Sequence, residues 1–345
     1  MDLLNTYNNV ITKLKHIDYQ KLWPNFHLYS VALYNEDTVC YKGKLIPKTP
    51  EFLANTSIKY NNEMIGIWFL QNEMDLDVLT SKLVHETFHA FQNDQNEARF
   101  PNEIEALLTY NYSETNLSIK FEENKLIVEL VDSFDQEKFN KLMRLRKQRM
   151  ELFPYEFHYE MSIEQIEGTA NYIELEVLKQ LDITKYNNKL SQMKNELLNL
   201  KNLRPIRIVS YSIGGLLIKL LIDHHLDIHF NFDENFYLDH LLKKTKSSQI
   251  HVPVSHDIQQ ILDDYDQTTK RYLDHSIKDE NLVLKGDFEL LGVNVYNARV
   301  KGNHVITEYF LMYKDHTKET ILNGNYVIKL NEDHKIAEVY KLIKN

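Results

Sequence analysis

The chain has 345 residues and a formal net charge of −10, with 43% hydrophobic and 26% charged residues. This composition is typical of a soluble globular protein, and the length suffices for a main domain with a smaller one added. The negative charge gives no general affinity for nucleic acid or for an anionic membrane surface. The N-terminus lacks a basic segment followed by an apolar run, and no apolar run of about 18 residues occurs elsewhere, which predicts a cytoplasmic location.

The N-terminal segment predicts one helix, Leu3 to Tyr19, and three strands, His27 to Tyr34, Thr38 to Ile46 and Met64 to Leu70. The third strand lies directly before the next predicted helix. Two interpretations are open for it. Either an extended peptide substrate pairs with its main chain, or it is an ordinary buried strand of the core.

The helix that follows carries the motif His85-Glu86-x-x-His89. Residues four apart lie on the same face of a helix, so both imidazoles can reach one zinc ion. Glu86 points about 100° round the helix, beside the metal, where it can take a proton from an attacking water. Cys40 is the only cysteine, so the zinc site must be built from histidine and carboxylate groups. The alternative is a buried helix in which both histidines bond to neighbouring groups, but it does not explain a glutamate placed for general-base work.

A later predicted helix, near residues 158–181, offers the third zinc ligand. Its residues Glu164, Glu167, Asn171 and Glu174 form a polar stripe with apolar stripes on both sides. Carboxylates drawn into an interior need a cation to offset their desolvation, and zinc would provide it. We predict Glu167 as the ligand because the adjacent Gly168 lets another backbone approach closely. Glu164 is the alternative ligand, Asn171 and Glu174 are candidates to hydrogen-bond a ligand histidine, and a charged helix face with incidental glutamates is the alternative without a metal.

The motif His85-Glu86-x-x-His89 with the later Glu167-Gly168 resembles the zincin metallopeptidases whose third ligand is a glutamate on a later helix, the gluzincins. The resemblance implies a zincin-like peptidase in which His85, His89 and Glu167 hold zinc and Glu86 is the general base. The chain departs from thermolysin-like members of that group in two respects. Its interval between the second histidine and the glutamate is longer, and an asparagine stands four residues after Glu167 where those enzymes have an aspartate.

Zincins of this style often carry a Tyr-x-x-Gly segment in the helix after the glutamate helix, and Tyr211 begins such a segment here. By that resemblance, Tyr211 donates a hydrogen bond to the oxyanion that forms when water attacks the peptide carbonyl. A core tyrosine in a tight helix crossing is the alternative. His224, His225 and His229 are further candidates for the same electrostatic role, although each is more typical of a surface or capping histidine.

The remaining segments predict helices first and strands later. The pattern over Leu117–Leu130 predicts a β-hairpin with its turn at Glu122–Lys125. From about Asp279 onward, short strands with closely spaced turns predict an all-β module, a small barrel or sandwich. Helices are predicted over Pro101–Tyr112, Gln136–Leu152, Leu190–Leu200, Pro205–His224 and Ser255–Asp274, and strands over Leu282–Leu284, Phe288–Leu291, Val293–Val300, His304–Tyr313 and Tyr326–Leu330.

We therefore expect an α+β fold with a zincin-like peptidase core over residues 1–278, in which a small mixed or antiparallel sheet precedes a mostly helical part. A β-rich C-terminal domain is expected over residues 279–345. The expected function is zinc-dependent hydrolysis of peptide bonds, with zinc activating water and Glu86 as general base, and the expected partner is a peptide or protein substrate. Two alternatives remain open: a non-catalytic zinc-binding or interaction protein, and a zinc hydrolase of non-peptide amides.

Overall fold

The computed structural model describes residues 2–344, which form a five-stranded mixed sheet, a largely helical middle and a second, antiparallel sheet. Helix α1 (Leu3–Leu14) precedes strands β1 (Ser30–Tyr34), β2 (Thr38–Tyr41), β3 (Lys44–Pro47), β4 (Thr56–Tyr60) and β5 (Glu63–Phe69). The first sheet has the order β3-β2-β1-β5-β4, and β1 runs parallel to β5. The predicted mixture of helices and a small sheet is confirmed, although α1 is shorter than predicted and β4 was not predicted.

Strand β5 lies inside the first sheet, between β1 and β4. Because neighbouring strands occupy both of its edges, the interpretation that a substrate peptide pairs with this strand is wrong. Strand β4 forms that end of the sheet, and β5 pairs with one of its edges. The sheet therefore offers β4, and not β5, for pairing with an extended chain.

Helix α2 (Leu76–Asp94) carries the histidine motif and packs against β5. The Asp75 side chain caps the helix by accepting hydrogen bonds from backbone N–H groups of the first turn. Close packing requires Gly66 in β5, because a Cβ at that position would lie 2.9 Å from Cγ2 of Thr87 and 3.3 Å from Cβ of Glu86. The sheet thus determines how closely the motif helix approaches it.

The predicted hairpin over Leu117–Leu130 is wrong, because this segment lies within one helix, α4 (Glu114–Asp132). The predicted helices at Gln136, Pro205 and Ser255 are confirmed within a few residues, and the short helix α10 was not predicted. Within residues 2–344, none of the helices combines the length and the apolar character that a membrane crossing requires. The other helices are α3 (Glu103–Thr109), α5 (Gln136–Leu152), α6 (Pro154–Ile163), α7 (Thr169–Leu181), α8 (Ile183–Leu198), α9 (Ile206–Asp223), α10 (Asp239–Lys244) and α11 (His256–Ser276).

A cluster of buried charges joins α4, α5, α6 and the first residue after α6, Glu164. Arg146 lies 2.6 Å from a carboxylate oxygen of Glu164, and Lys120 lies 2.5 Å from one of Glu160. Each buried charge has a partner of opposite sign, which offsets the cost of removing both from water. The members of this buried charge cluster are Lys120, Glu123, Arg146, Arg149, Glu160 and Glu164.

A π-helical turn, Glu164–Gly168, links α6 to α7 without interrupting the helix. A π-turn holds one more residue than an α-turn, so it changes the direction of the side chains on either side of it. Gly168 lies directly against α9, because a Cβ on Gly168 would lie 2.6 Å from the Cα of Gly214. This confirms the prediction that Gly168 permits a close backbone approach.

We expect the substitution Gly168→Ala to lower the free energy of unfolding by about 1–3 kcal/mol, because the new methyl group would overlap the backbone of α9. Denaturant titration measures the change. Gly292→Ala is the matched control, since a Cβ there would meet Met312 at an ordinary contact distance of 3.5 Å. Equal stability of Gly168→Ala and the wild-type protein would contradict this account of the helix contact.

The C-terminal module (residues 282–344) is a sheet in which all paired strands run antiparallel. Its strands are β6 (Leu282–Val293), β7 (Arg299–Lys301), β8 (His304–Thr307), β9 (Phe310–Asp315), β10 (Lys318–Asn323), β11 (Tyr326–Leu330) and β12 (Ile336–Lys341). In the order β10-β9-β6-β12-β11-β8-β7, the end strands β10 and β7 do not pair with each other, so the predicted closed barrel is wrong. The first part of β6 pairs with β12 and its second part with β9, and the predicted sandwich stays a prediction. One long strand, β6, replaces the first two predicted strands, and β12 was not predicted.

Candidate metal centre

Three side chains each bring one nitrogen or oxygen atom to a common point. His85 Nε2 lies 3.2 Å from His89 Nε2, and Glu167 Oε2 lies 3.8 Å from the first nitrogen and 3.4 Å from the second. Ligand atoms bound about 2.0–2.1 Å from a tetrahedral zinc ion lie about 3.3–3.4 Å from one another, so the spacing of these three atoms fits zinc. The structure thus brings together the two histidines of the motif and the glutamate chosen from the later helix.

Gln92 holds His89 in place from one turn further along α2. Its Oε1 lies 2.7 Å from His89 Nδ1, and its Nε2 donates to the carbonyl of Ile166 at 3.1 Å and to Thr169 Oγ1 at 2.9 Å. Because Gln92 Oε1 is an acceptor, Nδ1 of His89 is the donor in this contact, and Nε2 is the atom that faces His85 and Glu167. Gln92 therefore orients the imidazole of His89 and connects it to the π-helical turn that carries Glu167.

Glu174 is the charged group that faces the other side of the His85 ring. Its Oε2 lies 3.5 Å from His85 Nδ1, which has no closer polar partner, and its other oxygen lies 2.9 Å from Lys189 Nζ. Burial lowers the pKa of His85, but the carboxylates of Glu167 and Glu174 outweigh burial and raise this pKa to about 10. Burial opposes the charged form of Glu174 as well, yet Lys189 and His85 hold the pKa of that carboxyl well below its usual range.

Glu86 lines the same cleft as the three candidate ligands, a cavity of about 730 Å³. Its side chain is largely buried, and burial raises the pKa of the carboxyl although His85 and His89 oppose the change. A carboxyl with a raised pKa binds a proton more readily than an ordinary glutamate does. Glu86 is thus both close to the candidate metal ligands and suited to proton transfer.

The polar stripe of the glutamate helix divides between two environments. Glu164 turns away from the histidines into the buried charge cluster, where it binds Arg146. The structure therefore separates Glu164, the alternative ligand, from the candidate metal site. Asn171 lines the cleft, but the Nδ1 atoms of the two histidines face Gln92 and Glu174 instead.

Tyr211 lines the cleft next to Arg207, one turn earlier on α9. Arg207 Nη2 donates to Tyr211 Oη at 2.7 Å and to Glu167 Oε1 at 3.3 Å, and its Nη1 binds Glu103. Burial raises the pKa of Tyr211 far above its usual value, so the hydroxyl keeps its hydrogen. Tyr211 Oη also lies 3.1 Å from Tyr296 Oη, and either hydroxyl can be the donor in that contact. When Tyr296 donates, the Tyr211 hydrogen is free for a group bound in the cleft.

The three other candidate histidines lie away from the described lining of the cleft. His224 stacks on Phe134 with ring centroids 4.2 Å apart, and His229 Nε2 lies 2.8 Å from Asp233. His225 follows α9 with a positive φ of 51°. These positions leave Tyr211 as the candidate for the electrostatic role.

Sequence reasoning missed three residues that contact the candidate site: Gln92, Arg207 and Tyr296. Gln92 stands three residues after His89, and Arg207 stands four residues before Tyr211. Helical spacing alone was therefore enough to nominate both. Tyr296 belongs to the C-terminal module, 85 positions beyond Tyr211, and no local pattern connects the two.

We expect Gln92→Ala to weaken zinc binding about 10- to 100-fold, because groups that orient a metal-binding histidine typically contribute that much. Competition with a chelator of known zinc affinity measures the change. Gln71→Ala, which alters an exposed glutamine shortly before α2, is the matched control. Unchanged zinc affinity in Gln92→Ala would mean that Gln92 does not orient His89.

Comparisons of the chain with protein-family models, with curated proteins and with solved structures gave no match. The geometry and chemistry of the site are therefore the basis for assigning a function.

Proposed function

We propose that this protein is a zinc-dependent peptidase of the zincin type, in which His85, His89 and Glu167 hold zinc and Glu86 transfers protons. The observation that carries the proposal is the convergence of three ligand atoms, 3.2–3.8 Å apart, in a cleft that also holds Glu86. Two histidines and one carboxylate are a ligand set of catalytic zinc sites, which leave a fourth position open. A purely structural zinc has a closed coordination shell and does not need Glu86.

The arrangement of the chain around the site also supports the zincin resemblance. A mixed sheet packs against the motif helix α2, and the glutamate comes from a later helix that packs on α2. Gln92 connects the two helices directly through the carbonyl of Ile166. The second helix is therefore held where its glutamate can complete a site begun by the motif.

The proposed chemistry divides among few groups. When bound, zinc supplies a Lewis acid that lowers the pKa of a water molecule and polarises the peptide carbonyl. The Glu86 carboxylate accepts a proton from the attacking water and delivers it to the nitrogen of the leaving amine. The Tyr211 hydroxyl donates a hydrogen bond to the carbonyl oxygen as negative charge develops there. Arg207 hydrogen-bonds both Tyr211 and Glu167 and so holds their side chains in a fixed relative position.

The edge strand β4 favours a peptide over a small amide as the substrate. Asn55, Thr56 and Ser57, at the start of this strand, line the cleft. One edge of β4 pairs with β5, and an extended peptide can add to the other edge through main-chain hydrogen bonds. Such pairing binds a peptide near Glu86 and makes little demand on its sequence.

Zinc analysis combined with a mixed peptide library tests the proposal. Protein purified without chelator is expected to contain about one zinc ion per chain and to cleave peptides, and chelation should abolish the cleavage until zinc is returned. A folded protein that binds no zinc would contradict the metal site. Zinc-containing protein that hydrolyses only small amides would favour the amide hydrolase, and zinc without any hydrolysis would favour the non-catalytic alternative.

A further inference from the structure

Three large apolar side chains of the cleft are exposed to solvent. Phe100, Ile208 and Tyr296 all line it, and they are 49%, 38% and 50% exposed. Their segments meet at Arg207, because Ile208 follows it on α9 and the Tyr296 ring lies 5.6 Å from its guanidinium carbon. Phe100 comes shortly before Glu103, which binds Arg207. Apolar groups gathered in a concave site and left open to water are typical of a surface that binds a ligand.

The turn that carries Tyr296, between β6 and β7, is held by hydrogen bonds of its own. Asn294 Oδ1 accepts from the Tyr296 N–H at 3.2 Å, and the carbonyl of Asn294 accepts from the Ala298 N–H at 3.0 Å. The Asn294 N–H donates in turn to Thr307 Oγ1 at 3.2 Å. A turn ordered in this way presents its side chain to a ligand with little further entropy cost.

The C-terminal module is also attached to the helical part beside this turn. The ring of Tyr265 in α11 lies 3.7 Å from the guanidinium carbon of Arg204 and 4.4 Å from that of Arg299. Arg299 follows Tyr296 by three residues, so this contact lies next to the turn. Side chains of α3 complete the attachment by packing against the core of the module: Ile104, Leu107 and Leu108.

We propose that Tyr296, with Phe100 and Ile208, forms a subsite for a bulky apolar side chain of the peptide substrate. The inference rests on the proposed peptidase function and adds its side-chain preference. Tyr296 Oη lies 3.1 Å from Tyr211 Oη, so the subsite adjoins the hydroxyl assigned to the reacting carbonyl. The bulky side chain therefore belongs to a residue beside the bond that is cleaved. The C-terminal module thereby contributes directly to the active site.

Matched peptides test this subsite in the zinc-loaded 345-residue chain. The two peptides differ only at the residue beside the cleaved bond, with Leu or Phe in one and Ala in the other. Tyr296→Ala is expected to lower kcat/KM for the bulky peptide roughly 10- to 100-fold more than for the Ala peptide. Tyr296→Phe should keep most of the preference, because the ring remains. Tyr309→Ala, which removes a 68% exposed tyrosine of the same module outside the cleft lining, is the control.

Binding measured without turnover gives a second readout. In a Glu86→Gln background, the zinc-loaded protein should bind the bulky peptide more tightly than the Ala peptide, and adding Tyr296→Ala should remove that difference. If the wild-type protein binds no zinc or cleaves no peptide, the proposed function fails and the subsite fails with it. If the wild-type protein cleaves peptides but Tyr296→Ala affects both peptides equally, or neither, the subsite alone is refuted.

Discussion

Replacing Glu86 with glutamine is expected to reduce kcat by about 10²–10⁴-fold while zinc content remains at the wild-type level. The amide has the size of the carboxyl group but cannot accept the proton of the attacking water. Burial raises the pKa of Glu86, which means that its surroundings disfavour the charged carboxylate. The neutral amide should therefore leave the free energy of unfolding unchanged or slightly increased.

Turnover, zinc content and denaturant titration of Glu86→Gln test these three expectations together. Glu73→Gln makes the same chemical change at an exposed position shortly before α2 and serves as the control. Undiminished turnover in zinc-loaded Glu86→Gln would remove Glu86 from the mechanism. A loss of zinc would instead assign Glu86 a role in holding the metal.

Glu167→Ala is expected to lose zinc affinity and Glu164→Ala to lose stability, although the two residues are one helical turn apart. Glu167→Ala removes one of three protein ligands, so zinc affinity should fall by more than the roughly 10- to 100-fold typical of a group that only orients a ligand. Glu164→Ala removes from Arg146 its nearest carboxylate in a buried environment and leaves only Glu123, 3.7 Å away. Breaking a buried ion pair in this way costs about 3–5 kcal/mol of stability. Glu164→Ala should therefore lower the unfolding midpoint, with zinc affinity affected far less.

Glu174→Ala provides the intermediate case, because Glu174 contacts His85 Nδ1 and not the metal position. Its zinc affinity should fall about 10- to 100-fold, between the effects of the other two variants. Chelator competition and denaturant titration on all three proteins give the two rankings. If Glu164→Ala weakens zinc binding most, the third ligand lies one turn earlier than proposed. If none of the three changes zinc affinity, the second helix does not belong to the site.

The motif helix could be predicted from local pattern because its chemistry depends on neighbours in the sequence. Helical spacing places His85 and His89 on one face and Glu86 beside them, whatever the rest of the chain does. Asp75 precedes that helix and caps its first turn in the structure. The same local rule would have nominated Gln92 and Arg207, each of which lies one turn from a candidate residue.

Helix α4 could not be recognised from its hydrophobic pattern, because charged residues occupy part of its buried face. Its apolar residues alternate closely enough to predict a hairpin, and its inward side carries Lys120, Glu123 and Asn124. Hydrophobic periodicity identifies a helix when the buried stripe is apolar. Here the partners that allow a polar stripe to be buried, Arg146 and Arg149 among them, come from another helix. Only the folded structure supplies those partners, so the pattern of α4 alone favoured the wrong element.

By itself, the sequence determined the helix of His85, Glu86 and His89 and a short set of possible third ligands, because turn-to-turn spacing within one helix depends on local geometry. Tertiary structure decided between Glu164 and Glu167, since the π-turn and Arg146 direct them to different surroundings. It also decided that β4 is an edge strand and that a residue of the C-terminal module reaches the cleft. Sheet edges and clefts form when segments that are distant in the sequence pack together. Such contacts produce no periodic pattern in the sequence.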